Sequence, residues 1–387
     1  MLFDDEEDNL FYEDLVDIDE SDAVIADMSA PRAQSLLIGH EDVEKNLLSL
    51  FQSNRHPHAM IFSGPSGIGK ATLAFRLARF LLKTSEDEYN EQMMGAGLFG
   101  DAPQPPQNLH VDAKDPVFGK VAAGGHPDLL TIERLYDDKK DRRKTEVSVD
   151  EIRKIAPFMR KTPAIEGGWR IVIVDDADTM NRSSQNSILK ILEEPPAKSL
   201  IILVTHRLGA LLPTILSRAS VVNFYPLADN VLTDFLTRIN PKLLAEHKTM
   251  VVNMAEGSLG RAIDYADDKN FPVITQSLDL LAKLPGFDWN SIQHFADTLG
   301  RGATPEMQKS FQDTLIWFSS SFAMSAATGR DLPPSLKPAA RLLTEVSLAR
   351  WLQICDRLNE HFTRVQMGNL DKRYMVMGAF TVFENNV

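Results

Sequence analysis

One stretch constrains this chain more than any other: Gly64-Pro65-Ser66-Gly67-Ile68-Gly69-Lys70. It follows a short apolar run, Ala59-Met60-Ile61-Phe62. It precedes a segment in which Leu73, Leu77, Phe80 and Leu81 fall on one helical face. Strand, glycine loop and helix, in that order, are the setting of a G-x-x-x-x-G-K phosphate loop. Glycines let the backbone turn tightly with its amide N–H groups inward. The helix N-terminus adds partial positive charge, and Lys70 adds a full one. A loop of this kind needs a strand buried in a parallel sheet.

The rest of the first half supplies such a sheet. Residues 128–132, 170–174, 200–204 and 221–224 read as further strands, and Arg170-Ile171-Val172-Ile173-Val174 is apolar enough to be buried on both faces. Helices are expected over 39–51, where Val43, Leu47, Leu48 and Leu50 share a face, over 149–159 behind Ser148, and over 183–193 before Pro195-Pro196. Strands alternating with helices imply an α/β domain, a parallel sheet with helices on both faces. Residues 83–127 hold many prolines and glycines and little periodicity, so an insertion or long loop is expected there. Beyond Phe224 the chain reads as almost entirely helical, and no internal repeat is visible.

The candidate nucleotide-binding residues are Gly64, Ser66, Gly67, Gly69, Lys70, Thr72, Asp175, Asp176 and Thr205. The eighth motif position, where a Ser or Thr hydroxyl would bind Mg²⁺, is Ala71. Thr72 lies about 100° further round the helix and is a poor substitute. Asp175-Asp176 closes the strand 170–174, where one carboxylate orders the metal's water and a following Glu activates the attacking water. Asp176 is one methylene shorter than that Glu. An ATP/Mg site is therefore degenerate, and hydrolysis in it is not expected. Thr205 ends a strand where a hydroxyl could sense a γ-phosphate, or where a Thr merely finishes a strand. Arg218 follows Leu212-Pro213-Thr214-Ile215-Leu216-Ser217 at a helix end. It is either an arginine that reaches a phosphate in a neighbouring subunit or a surface ion-pair residue.

These residues resemble the delta-prime family of subunits from the bacterial DNA polymerase III clamp loader. The resemblance is carried by His58-Ala59, residues 64–70, His126-Pro127-Asp128, residues 173–178 with Met180-Asn181, Asn186, Leu189-Lys190, Leu192-Glu193-Glu194-Pro195-Pro196 and residues 214–218. It covers about 31–387. It implies an AAA+ P-loop domain over 31–224, a small helical lid over 225–284 and an all-α collar over 285–387. It also implies tau/gamma and delta subunits as neighbours in a pentameric ring, a sliding clamp, and primed DNA held by its backbone. In that family Arg218 would be an arginine finger acting in trans on the ATP site of a tau/gamma subunit. The family's Ser-Arg-Cys becomes Ser217-Arg218-Ala219 here. Gly257-Ser258-Leu259-Gly260-Arg261 resembles the lid segment that contacts phosphate, which makes Arg261 a further candidate. The alternative is a tau/gamma-like AAA+ motor that hydrolyses ATP in its own P-loop. Relatives that bind zinc use four cysteines in the insertion. Residues 83–127 have none, and His110 and His126 cannot rebuild that site, so no zinc is expected.

Charge at face value argues against work on DNA, since 41 Lys+Arg stand against 54 Asp+Glu, a net −13. Twelve of the acids lie in residues 1–30, which hold no Lys or Arg. The body beyond is nearly neutral, with 42 acids and 41 bases. The arm reads either as a solubilising tail or as a segment whose Phe11, Tyr12 and carboxylates dock on a basic partner surface or mimic DNA in the ring's channel. The run Lys139, Lys140, Arg142, Arg143, Lys144 is either a DNA-phosphate contact or, since acids interrupt it, a solvated loop, and the second reading is preferred. The acidic N-terminus, the single Cys355 and the lack of an 18-residue apolar run lead to the expectation of a cytoplasmic protein with no membrane contact.

Overall fold

The computed structural model describes residues 30–53, 55–94, 106–137, 142–165, 167–368 and 370–387. The acidic arm, Lys139, Lys140 and the part of the insertion over 95–105 lie outside the described residues.

Five strands form the central sheet: β1 (Ala59–Ser63), β2 (Leu129–Ile132), β3 (Arg170–Val174), β4 (Ser199–Thr205) and β5 (Ser220–Asn223). All pairings are parallel, in the order β2-β3-β4-β1-β5. Every residue of β1, β3 and β4 is buried, as their continuous apolar sequences require for a sheet covered on both faces. The two-residue period sorts their side chains. Met60, Phe62, Ile171, Ile173, Ile202 and Val204 pack under helices α1 (Glu41–Gln52) and α2 (Lys70–Met94). The intervening Ala59, Ile61, Val172, Val174, Ile201 and Leu203 form a second core on the opposite face.

Two expectations are corrected. Residues 83–127 are not one long loop. The helix α2 runs on to Met94, and α3 (Pro116–Ala122) buries Val117, Phe118 and Val121 against it, with Leu109 also buried. Residues 84–94 are polar, but they hold Glu, Gln and Met with no Pro or Gly, so the helix has no reason to stop before Gly95. Asp115 caps α3, accepting the N–H of Val117, and Pro116 takes its first position. The expected helix over 149–159 is two helices, α4 (Val149–Arg153) and α5 (Ile155–Met159). Pro157 has no N–H for the carbonyl of Arg153, and its ring crowds that carbonyl, so the helix breaks at Lys154. Ser148 caps α4 as expected. On the same face α6 (Arg182–Glu193), capped by Asn181, covers the sheet, and the short α7 (Pro213–Leu216) leads into β5.

Beyond Phe224 the described chain is helical: α8 (Asp229–Ile239), α9 (Ala245–Ala255), α10 (Leu259–Ala266), α11 (Phe271–Leu281), α12 (Trp289–Gly302), α13 (Pro305–Thr328), α14 (Leu342–Glu345), α15 (Leu348–Gly368) and α16 (Lys372–Glu384). One apolar core runs through them from Leu227 to Phe383. At its far end Trp351 lies stacked on Phe322, with ring centroids 4.7 Å apart. None of the described helices is long and apolar enough to cross a membrane.

Candidate functional site

The polar groups of the candidate nucleotide site sit at the carboxyl ends of the strands, where ligands of open parallel sheets bind. Ser63 at the end of β1 pairs in register with Thr205 at the end of β4, and the Gly64 N–H donates to the Thr205 carbonyl at 3.3 Å. His206, the next residue, is thereby brought beside the glycine loop.

Lys70 opens α2 and is buried, and its ammonium turns back into its own loop. Nζ donates to the carbonyls of Gly64 (2.7 Å) and Pro65 (2.5 Å) and to Nδ1 of His206 (3.0 Å). An ammonium has three N–H bonds, and three acceptors occupy them. Since Nδ1 accepts, the ring proton of His206 sits on Nε2, which donates to Asp176 Oδ1 at 2.9 Å. Arg134, two residues past β2, holds the other oxygen of Asp176 through Nε (2.8 Å) and Nη2 (2.7 Å). A chain of contacts therefore joins Lys70, His206, Asp176 and Arg134. Burial pushes the Lys70 pKa down to about 8, against the opposing pull of Asp175, Asp178 and Asp176. The bond from His206 and the charge of Arg134 hold Asp176 below the usual carboxylate range. Asp175 is raised, chiefly by burial and then by the charge of Asp176. Asp176 also takes a left-handed backbone, φ 53°, which an Asp adopts at modest cost.

The hydroxyl of Thr205 is fully buried, donating to Asp178 at 3.4 Å and accepting the Arg207 N–H at 3.2 Å. Its bonds are thus with the loops after β3 and β4. Thr72 and Ala71 are both half-buried on α2, and Ala71 brings no oxygen to the site.

The helical half closes over the loop. Ser258 caps α10 by accepting the N–H of Arg261, and its hydroxyl donates to the Ser66 carbonyl at 2.9 Å. The N–H of Gly260 donates to the Gly67 carbonyl at 2.8 Å. This approach requires glycine at 67. Its φ is +76°, and a Cβ there would lie 2.5 Å from Ser258 Oγ. From the other side Nε2 of His40 bonds to the Ile68 carbonyl at 2.7 Å, and its ring meets the edge of Phe224. Gly69 has φ +104°. The Arg261 guanidinium pairs at 3.2 Å with Glu256, which caps the end of the preceding helix α9.

Arg218 finds different partners. It follows α7, whose Ile215 is buried and whose preceding residue, Leu212, donates its N–H to Gln185 of α6 at 2.7 Å. The half-exposed guanidinium donates to the Thr214 carbonyl and Ser217 hydroxyl and pairs with Glu193 at 2.8 Å. The resemblance-bearing segments also meet here: His58 Nε2 bonds to the Leu192 carbonyl at 2.9 Å, tying the end of α6 to the start of β1.

No motif of the sequence marks His206 or Arg134. Their one signal was position, since each stands one or two residues beyond the end of a parallel strand.

The family model described as "DNA polymerase III, delta subunit" matches residues 104–228. DNA polymerase III subunit delta' of Pseudomonas aeruginosa is 32% identical over 164 residues, 42% of this chain and 42% of that protein. The subunit delta' of Escherichia coli is 25% identical over 252 residues, 65% of this chain and 67% of the relative. That of Bacillus subtilis is 28% identical over 242 residues, 62% of this chain and 61% of the relative. The Pseudomonas and Bacillus matches thus span less than two thirds of those relatives.

Proposed function

The chain belongs to the delta-prime family of DNA polymerase III clamp-loader subunits, and from that premise we propose that it works as a non-hydrolysing AAA+ subunit that supplies Arg218 in trans. The observation that carries this reading is the engagement of all three Lys70 donors by Gly64, Pro65 and His206. The residues do not fit a magnesium nucleotide. Ala71 has no hydroxyl for the metal, the lysine that would meet the phosphates is satisfied by its own loop and by His206, and Asp176 is held by Arg134 and His206 rather than free to activate water. No step is assigned to this chain's own P-loop. It acts as a rigid part, stapled to the lid by Ser258 and Gly260.

Arg218 has the properties a finger needs. It is half-exposed at the end of a short helix whose position is set by Ile215 and Gln185. Its planar guanidinium offers several N–H donors in one plane. On a neighbour's phosphates it would stabilise the charge that develops on the transferring phosphoryl group. The neighbours in this reading are tau/gamma and delta subunits in a pentameric ring that loads a sliding clamp onto primed DNA.

Two measurements test it. Titration calorimetry of ATP into the purified chain should show no binding up to millimolar concentration. In the reconstituted loader, Arg218→Ala should slow hydrolysis at the one site it serves by about 10³-fold or more. Unchanged hydrolysis would remove the arginine-finger role. Turnover by the isolated chain, abolished by Lys70→Ala, would instead favour an independent AAA+ motor.

A further inference from the structure

Glu193 is the last residue of α6, where the helix dipole presents negative charge and an acid is least welcome. Glu194 follows and Pro195-Pro196 stops the chain from continuing the helix, so the carboxylate of Glu193 is held close to the helix end. Its ion-pair partner is Arg218, through Nη2 to Oε1 at 2.8 Å. The Nη1 group of the same guanidinium is turned toward its own helix, to the Thr214 carbonyl at 3.0 Å and the Ser217 hydroxyl at 3.2 Å. The arginine is therefore held on its own surface by one carboxylate oxygen and two local acceptors.

We propose that Glu193 is a latch: a positioning residue that parks Arg218 in cis and releases it when the phosphates of a neighbouring subunit compete for the guanidinium. This inference rests on the trans-arginine reading above. The geometry suits exchange. The side chains of Arg218 and Glu193 are 36% and 48% exposed, so water and salt screen the pair and its loss costs little. The Glu193 contact is monodentate, whereas a phosphate can take two parallel N–H bonds and carries more charge, so it wins the competition once it is within reach. The latch is also joined to the rest of the domain. Leu192, beside Glu193, accepts from His58 before β1, and Gln185 of the same helix holds Leu212 ahead of the arginine's own helix.

The test uses the reconstituted loader with Glu193→Gln, Arg218→Ala and the double variant, followed by single-turnover ATP hydrolysis in the presence of clamp and primed DNA. Glutamine keeps the shape of Glu193 and removes its charge. Glu193→Gln should raise the hydrolysis rate about two- to five-fold, the worth of an exposed ion pair. Half-saturation in ATP should not change, because a finger acts in the transition state. The gain should shrink as salt is raised, and the double variant should be as slow as Arg218→Ala alone. A Glu193→Gln rate at or below wild type, with Arg218→Ala slow, would overturn the latch and leave the finger standing. A double variant faster than Arg218→Ala would overturn it too, since the effect would then bypass the arginine. Wild-type rates for Arg218→Ala would bring down the finger and the latch together.

Discussion

Lys70 holds its charge where few water molecules reach it, and its pKa records the strain. Burial lowers it from 10.5 to about 8, even with Asp175, Asp178 and Asp176 pulling the other way. The sign of the linkage follows. Below about pH 8 both the folded and unfolded chains carry this proton, and the fold bears the cost of a buried ammonium. Between pH 8 and 10.5 the folded chain has released a proton that the unfolded chain still binds, so stability rises with pH through that window. Lys70→Met removes the titration. The stability of wild type relative to this variant should therefore increase from pH 7 to pH 10 by roughly 2 kcal/mol, the order that a shift of this size implies. Urea midpoints of the two proteins at both pH values measure it, and a difference that stays flat or falls with pH would contradict the buried, self-bonded lysine.

Between elements, the decisive contact is that of α10 with the glycine loop. Gly67→Ala would place a methyl group against Ser258 Oγ and force an L-residue to φ +76°, a conformation costing roughly 1–2 kcal/mol before any clash. The Gly260 N–H should then lose its hydrogen-exchange protection, while amides of β3 keep theirs. Retained protection at Gly260 would mean that the loop and the lid are not stapled as described. This contact joins residues nearly two hundred positions apart, and nothing in either segment announces it. What was legible was local. Ile171-Val172-Ile173-Val174 is apolar at every position because both of its faces are covered, and residues 64–70 could be placed between strand and helix from their neighbours alone. What escaped was decided by tertiary pairing. His206 has no motif, and it matters only because Thr205 lies in register with Ser63. Arg76 and Arg79 lie between the apolar positions of α2 and carry no motif. Both are buried, donating to the carbonyls of Ser35 and of Arg32 and Gln34, and so pin the start of the domain to α2.

At the scale of the whole molecule, the α/β half has its own cores on the two faces of the sheet, whereas α8 to α16 share a single one. Helices that share a core open together, so damage deep in the C-terminal helices should be felt in the helices that cover the P-loop. Trp351 is the place to cause it. It is fully buried, it stacks on Phe322, and its indole N–H has no hydrogen-bond partner, so its contribution is packing alone. Trp351→Ala should cost about 3–5 kcal/mol. Trp351→Phe removes the unpaired N–H along with part of the ring, and should cost far less. By hydrogen exchange, Trp351→Ala should weaken protection in α9 and α10 as well as in α13 and α16, and with it the Gly260 bond to Gly67, while β1, β3 and β4 remain protected. Loss confined to α13, α15 and α16 would mean that the shared core is two cooperative units, and that the staple on the P-loop is independent of the C-terminal helices.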